Sequence, residues 1–206
     1  MAPSELTELL NSTRRPRAVV LGDVMLDRYV WGDVDRISPE APIPVLSVAK
    51  REERLGGAGS VVAMLAALEA DVVLATVTAD DAEGRTIRRL LEEIGAVGDC
   101  TLIAEDRSTT VKERLLGRTQ SRHPQQIIRV DRQTICPIAE ALAAELVRSI
   151  ERMLGEIDVV LVSDYGKGVC RERLVSDLAA RARRAGVPVI ADPAVGVDYR
   201  RYAGST

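Results

Sequence analysis

Four apolar, β-branched runs restrict the fold more than anything else in the chain: RAVVLGD at 17–23, ADVVLATV at 70–77, IDVVLVSD at 157–164 and GVPVIAD at 186–192. Each is nearly continuous in its apolar character, as a strand buried on both faces must be. Segments of helical period lie at 59–70, 81–94, 138–154 and 171–185. In the third, Ile138, Leu142, Leu146 and Ile150 recur every four residues, and Pro137 suits its start. The fourth closes on Arg181, Arg183 and Arg184 before Gly186, the charge and glycine pattern of a helix C-terminus. Strands and helices in this order predict an α/β fold with a mostly parallel, helix-covered sheet.

Two stretches break the alternation, RYVWGDVDRISPEAPIPVLSVAKREER after the first strand and CTLIAEDRSTTVKERLLGRTQSRHPQQIIRVDRQ after the second helix. Short alternating segments within them, PVLSVAK, TTVKERLL and QIIRVDR, are separated by Pro, Gly, Ser and Asp. They predict small antiparallel strands outside the main sheet, in segments at about 29–50 and 100–132. Residues 1–16 read as an N-terminal tail or short helix, and 17–206 as one unit without internal repeats.

Several functions are disfavoured by composition. Aromatic residues are 2% of the chain and Phe is absent, so stacking platforms for bases are scarce, and at a net charge of −3 the arginines lie among acidic neighbours. A nucleic-acid partner is therefore not expected. Cys100, Cys136 and Cys170 are far apart and His123 is the only histidine, which predicts a reduced, cytoplasmic protein without structural zinc. The N-terminal MAPSELTELLNSTRRPR lacks the apolar core of a signal peptide, and no run approaches membrane-spanning length, so no membrane association is expected.

Three of the four strands stop on an aspartate, Asp23, Asp164 and Asp192, with Asp27 and Asp80 close after strand ends. Ligands of open α/β sheets bind beyond the carboxyl ends of the strands, where carboxylates orient hydroxyls, hold magnesium or take a proton. The competing reading for each is a helix N-cap. Gly56, Gly57 and Gly59 enter a helix whose first N–H groups favour a polar or negative ligand, but tight packing explains them as readily. The stretch carries neither a P-loop nor a dinucleotide fingerprint.

The ordered segments VVLGDVMLDRYVWG, RISPEAPIPVL, LGGAGSVVAMLAALEADVVLATV, DDAEGRTIRRLLEEIGA, TTVKERLL, QQIIRVD, LVSDYGKG and GVPVIADP resemble the ribokinase-like PfkB carbohydrate kinases, and within them the heptose-7-phosphate kinase branch of lipopolysaccharide-precursor biosynthesis. The resemblance implies a ribokinase-like three-layer α/β fold with a mostly parallel central sheet and a small β lid, truncated at the C-terminal side. It also implies phosphoryl transfer from ATP, with Mg2+, to a sugar phosphate, giving heptose 1,7-bisphosphate in the heptose branch.

By the same resemblance Asp27 holds sugar hydroxyls, Gly56 and Gly57 bring backbone against the sugar, and Lys112 and Arg114 meet its phosphate from the lid. Asp164 and Lys167 face sugar and phosphates, while Asp192 lies near the nucleotide and metal. Ser60 stands where the family usually has Asn, losing an amide's paired donor and acceptor. The family's Gly-Ala-Gly-Asp segment, with its catalytic-base aspartate, is absent from the 206 residues and is expected beyond Thr206, which implies a catalytically incomplete chain. The lid implies a homodimer. Rival readings are a kinase for another sugar and a non-catalytic sugar-phosphate binding protein.

Overall fold

A computed structural model of the chain describes residues 14–96, 99–118 and 123–205, so most of the tail expected at 1–16 lies outside the described residues. Strand β1 (Arg17–Gly22) is followed by two long strands, β2 (Val24–Ile37) and β3 (Pro44–Gly57), and by helix α1 (Ala58–Ala67). Next come β4 (Asp71–Ala79), α2 (Ala82–Glu93), β5 (Asp99–Ala104), β6 (Val111–Arg118) and β7 (Gln125–Arg132). The remainder is α3 (Glu140–Glu151), β8 (Val159–Ser163), α4 (Glu172–Arg184), β9 (Val189–Asp192) and a 3-10 turn at Tyr199–Tyr202.

These strands form two sheets. The larger is parallel throughout, in the order β5-β4-β1-β8-β9, with β1 at its centre. Alternate side chains of β1 enter opposite cores: Val19 and Leu21 pack with Leu146 and Ile150 of α3 and Leu178 of α4, while Val20 packs with Val62 of α1 and Ile87 of α2. Two fully apolar faces explain why the strands read as continuous apolar runs. Cover is uneven, however: Ile190 of β9, in register with Leu161 and through it with Val20, remains half exposed on the α1 and α2 side.

The smaller sheet runs β3-β2-β6-β7. Its outer pairs are antiparallel as expected, but β2 and β6 pair in parallel, which corrects the expectation of a wholly antiparallel lid. The reason is connectivity: between β2 and β6 the chain passes through β3, α1, β4, α2 and β5, enough for a crossover. A second correction concerns 99–104, which pairs with β4 as an edge strand of the large sheet, so the second lid segment consists of β6 and β7. Asp27, expected just after the first strand, lies inside β2 and thus on the lid itself.

Candidate active site at the strand ends

The floor of the site is the carboxyl end of β1 and β8, neighbours at the point where the chain switches from one side of β1 to the other. Asp23 is 1% exposed, and its carboxylate accepts three backbone N–H groups, from Tyr165 at 2.9 Å, Lys167 at 3.0 Å and Val169 at 2.9 Å. Burial pushes its pKa above the ordinary carboxylate range, Asp164 adds to this, and the three amides oppose it. Asp164 is 4% exposed and accepts from the Gly166 amide at 2.7 Å, the Tyr202 hydroxyl at 2.6 Å and Arg201 at 3.3 Å. Both carboxylates therefore fasten the 164–169 loop. Arg107 completes the anchorage by donating to the carbonyls of Lys167 at 2.8 Å and Cys136 at 3.0 Å.

At the entrance, β3 runs into α1 through Gly56 and Gly57. Gly57 has φ of 58°, and a Cβ there would lie 2.3 Å from the Asp23 carbonyl oxygen, so glycine is required on two grounds. That carbonyl accepts the Ala58 N–H at 3.0 Å, tying the helix start to the end of β1. Gly56 leaves room for a different neighbour, because a Cβ there would approach Cγ and Oδ2 of Asp27 to 2.8 Å. Ser60, in the first turn, donates to the Gly57 carbonyl at 2.7 Å, which turns its hydroxyl back on the loop.

The lid supplies charge. Strand register places Asp27 beside Arg54 and Lys112, and Tyr29 beside Glu52 and Arg114, so these residues share one face. Arg114 donates to Asp27 at 2.8 Å, and the guanidinium groups of Arg54 and Arg114 lie 5.0 and 5.1 Å from the centre of the Tyr29 ring. Burial disfavours the charge on Arg114, but the hydrogen bond and charge of Asp27 outweigh it and raise its pKa. Lys112 lies 5.8 Å over the Tyr165 ring, linking the lid to the floor loop. Burial lowers the pKa of Lys112; Arg129 and Lys167 add to this, while Asp27 and Asp131 oppose it.

Asp27, Gly56, Lys112 and Arg114 thus converge, with Lys167 near enough to repel Lys112. Gly57, Ser60 and Asp164 frame the site through bonds to its own backbone and side chains. Asp192 stands apart, exposed at the end of β9 and separated from β1 by β8. Asp80 pairs with Arg85, and Asp81 caps α2 by accepting the Gly84 N–H at 2.7 Å. The row of strand-end aspartates is therefore not one ligand set. Among the described residues no group of three or more His, Cys, Asp or Glu is arranged to hold a metal ion.

Residues 15–204 match the pfkB family carbohydrate kinases, across both the floor and the lid. The chain belongs to the pfkB carbohydrate kinase family. Its similarity to curated members is spread along the whole chain: 43% identity over 203 residues to the bifunctional protein HldE of Paramagnetospirillum magneticum, and 41% over 193 residues to that of Campylobacter curvus. These matches cover 98% and 94% of the chain but only 40% of each relative. Solved structures of this fold include a carbohydrate kinase from Agrobacterium tumefaciens, with a TM-score of 0.62 at 21% identity over 85% of the chain and 53% of that protein. Another is Arabidopsis thaliana ribokinase complexed with ribose and ATP, with a TM-score of 0.56 at 18% identity over 87% of the chain and 54% of that protein. They support the ribokinase-like α/β fold.

Sequence reasoning missed Tyr29, Arg54, Tyr165, Arg107 and Tyr202. Period-2 reading of both lid strands finds Tyr29 two residues after Asp27, and Arg54 immediately before LGG, but nothing local reveals that Tyr202 reaches Asp164 across 38 residues.

Proposed function

We propose that these residues form the sugar-phosphate side of a heptose-7-phosphate kinase, which in the complete enzyme transfers the γ-phosphoryl group of ATP to give heptose 1,7-bisphosphate. The observation that carries the reading is the lid face, where Asp27 packs against Gly56 beside Lys112, Arg114 and Arg54, the last also paired with Glu52 at 2.7 Å. A carboxylate accepts hydrogen bonds from adjacent sugar hydroxyls, and a cluster of cations attracts a phosphorylated sugar over a neutral one. Lys167, held from below through its backbone, adds a further cation. Asp192 is assigned to the nucleotide side.

Binding of this kind places the acceptor sugar against a rigid floor, and positioning with charge stabilisation supplies most of the catalysis in phosphoryl transfer. Similarity to HldE proteins along nearly the whole chain supports the heptose branch. The base and anion hole are assigned to the family's Gly-Ala-Gly-Asp segment, which these 206 residues do not contain. Calorimetric titration of the chain with a heptose 7-phosphate tests the reading: saturable binding is expected, with the unphosphorylated heptose at least about tenfold weaker. Equal affinity for both sugars would refute it.

The proposed setting is cytoplasmic; none of the described helices is long and apolar enough to cross a membrane. The proposed assembly is a homodimer through the lid. Its support is edge strand β7, where Ile127, Ile128 and Val130 are each about half exposed. Light scattering over a dilution series is expected to show a dimer that dissociates; monomer at every concentration would overturn it.

A further inference from the structure

Two loops leave the floor side by side, 164–169 after β8 and 193–198 after β9. The first carries Lys167; the second begins just beyond Asp192. Beside the backbone bond from the Asp164 N–H to the Asp192 carbonyl at 3.1 Å, one phenol joins them through side-chain bonds. Tyr202 is buried in the core on the α3 and α4 side, and its hydroxyl donates to Asp164 Oδ2 at 2.6 Å while accepting the Ala194 N–H at 3.2 Å. The other Asp164 oxygen accepts the Gly166 N–H at 2.7 Å. A continuous chain of hydrogen bonds therefore runs from the backbone of the β9 loop, through Tyr202 and Asp164, into the backbone of the β8 loop. Arg201 braces it, donating to Asp164 Oδ2 and to the Cys170 carbonyl, each at 3.3 Å.

The far end of the chain reaches the lid. The Lys167 N–H is held by Asp23, its carbonyl by Arg107, and the neighbouring Tyr165 ring lies under Lys112. Burial, followed by the bond to Asp164, pushes the Tyr202 phenol up to about 12, so it remains a proton donor at neutral pH.

We propose that Tyr202 is a positioning residue that couples the two strand-end loops, so that the pose of Lys167 beneath the lid depends on the conformation of the loop that follows Asp192. A buried network of this kind transmits displacement because removing one member leaves the others unsatisfied. Coupling of this sort is reciprocal, so it is detectable from either end. The role given to Lys167 rests on the sugar-phosphate reading, whereas the coupling itself does not.

Amide hydrogen exchange on the 206-residue chain tests it. In Tyr202→Phe, which keeps the ring in the core, exchange at Ala194, Gly166 and Lys167 is expected to quicken about tenfold, while the central amides of β1 stay protected. Acceleration confined to Ala194 would overturn the proposal. Asp164→Asn attacks the link from the opposite end and carries the test if the Phe variant does not fold; Ala194 is expected to exchange several-fold faster, and an unchanged Ala194 refutes the coupling. Titration with inorganic phosphate supplies a readout that simple loosening of the core would not move: Tyr202→Phe should weaken saturable binding about fivefold, and unchanged affinity counts against the positioning role. If the unsubstituted chain binds no phosphate, the sugar-phosphate reading fails while the exchange experiment still decides the coupling.

Discussion

Asp23 and Asp27 are four residues apart and both follow the first strand, yet they belong to opposite kinds of environment. Asp23 lies in the floor, inaccessible and satisfied by three backbone amides of one loop. Asp27 lies in the lid, partly open to solvent and paired with Arg114, packed against a glycine that has no Cβ to displace it. A carboxylate whose acceptor sites are filled by immobile amides acts as a fastener; one held by a side chain can exchange that partner for a ligand. The contrast separates scaffold from binding face more sharply than position along the strand does.

Stability measurements break or sharpen that contrast most directly. Asp23→Asn is expected to lower the unfolding free energy by about 3 kcal/mol, because one amide cannot replace two charged acceptor oxygens serving three N–H groups. Asp27→Asn should cost less than about 1 kcal/mol, as partly exposed ion pairs do. Urea unfolding of both variants checks this, and equal losses would erase the distinction.

Alkaline pH probes the same floor. Because folding raises the Tyr202 phenol from 10.0 to about 12, the stability it contributes is complete below pH 10 and is lost as pH rises through 12. The loss amounts to about 2 to 3 kcal/mol at 1.36 kcal/mol per unit, and it should be missing from Tyr202→Phe in denaturant titrations at stepped pH.

Smaller effects belong to the lid and its entrance. Gly56→Ala forces Asp27 to move and is expected to weaken heptose 7-phosphate binding about tenfold, at a stability cost of about 1 kcal/mol. Ser60→Asn restores an amide donor and acceptor and should tighten the same binding by about threefold, read by calorimetry. An affinity gain from Gly56→Ala would mean that the Asp27 pose set by Gly56 is not the one the sugar binds.

The parallel sheet was legible because its central strands β4, β1 and β8 are largely buried on both faces and spell out nearly uninterrupted apolar runs. Its edge strand β5 was not, since DCTLIA mixes polar and apolar residues and is not a continuous apolar run. Lid strand β2 escaped recognition as a 14-residue strand for a related reason: VMLDRYVWGDVDRI starts in the core and ends in solvent, so its pattern changes along its length. Asp27, Gly56, Lys112 and Arg114, singled out by the resemblance, do converge, whereas the strand-end aspartates form no single set: Asp80 pairs with Arg85 and Asp192 lies at the end of β9.

Local chemistry written into the chain determined the α/β class, the position of most helices and strands, and the glycine entrance, because burial and backbone freedom leave periodic or residue-specific marks. Tertiary structure alone decided the parallel pairing of β2 with β6, the separation of fastening carboxylates from the one on the lid, and the reach of Tyr202 to Asp164. Those outcomes depend on which amides, rings and charges distant segments bring to a carboxylate, and burial and partner together set what that carboxylate can do.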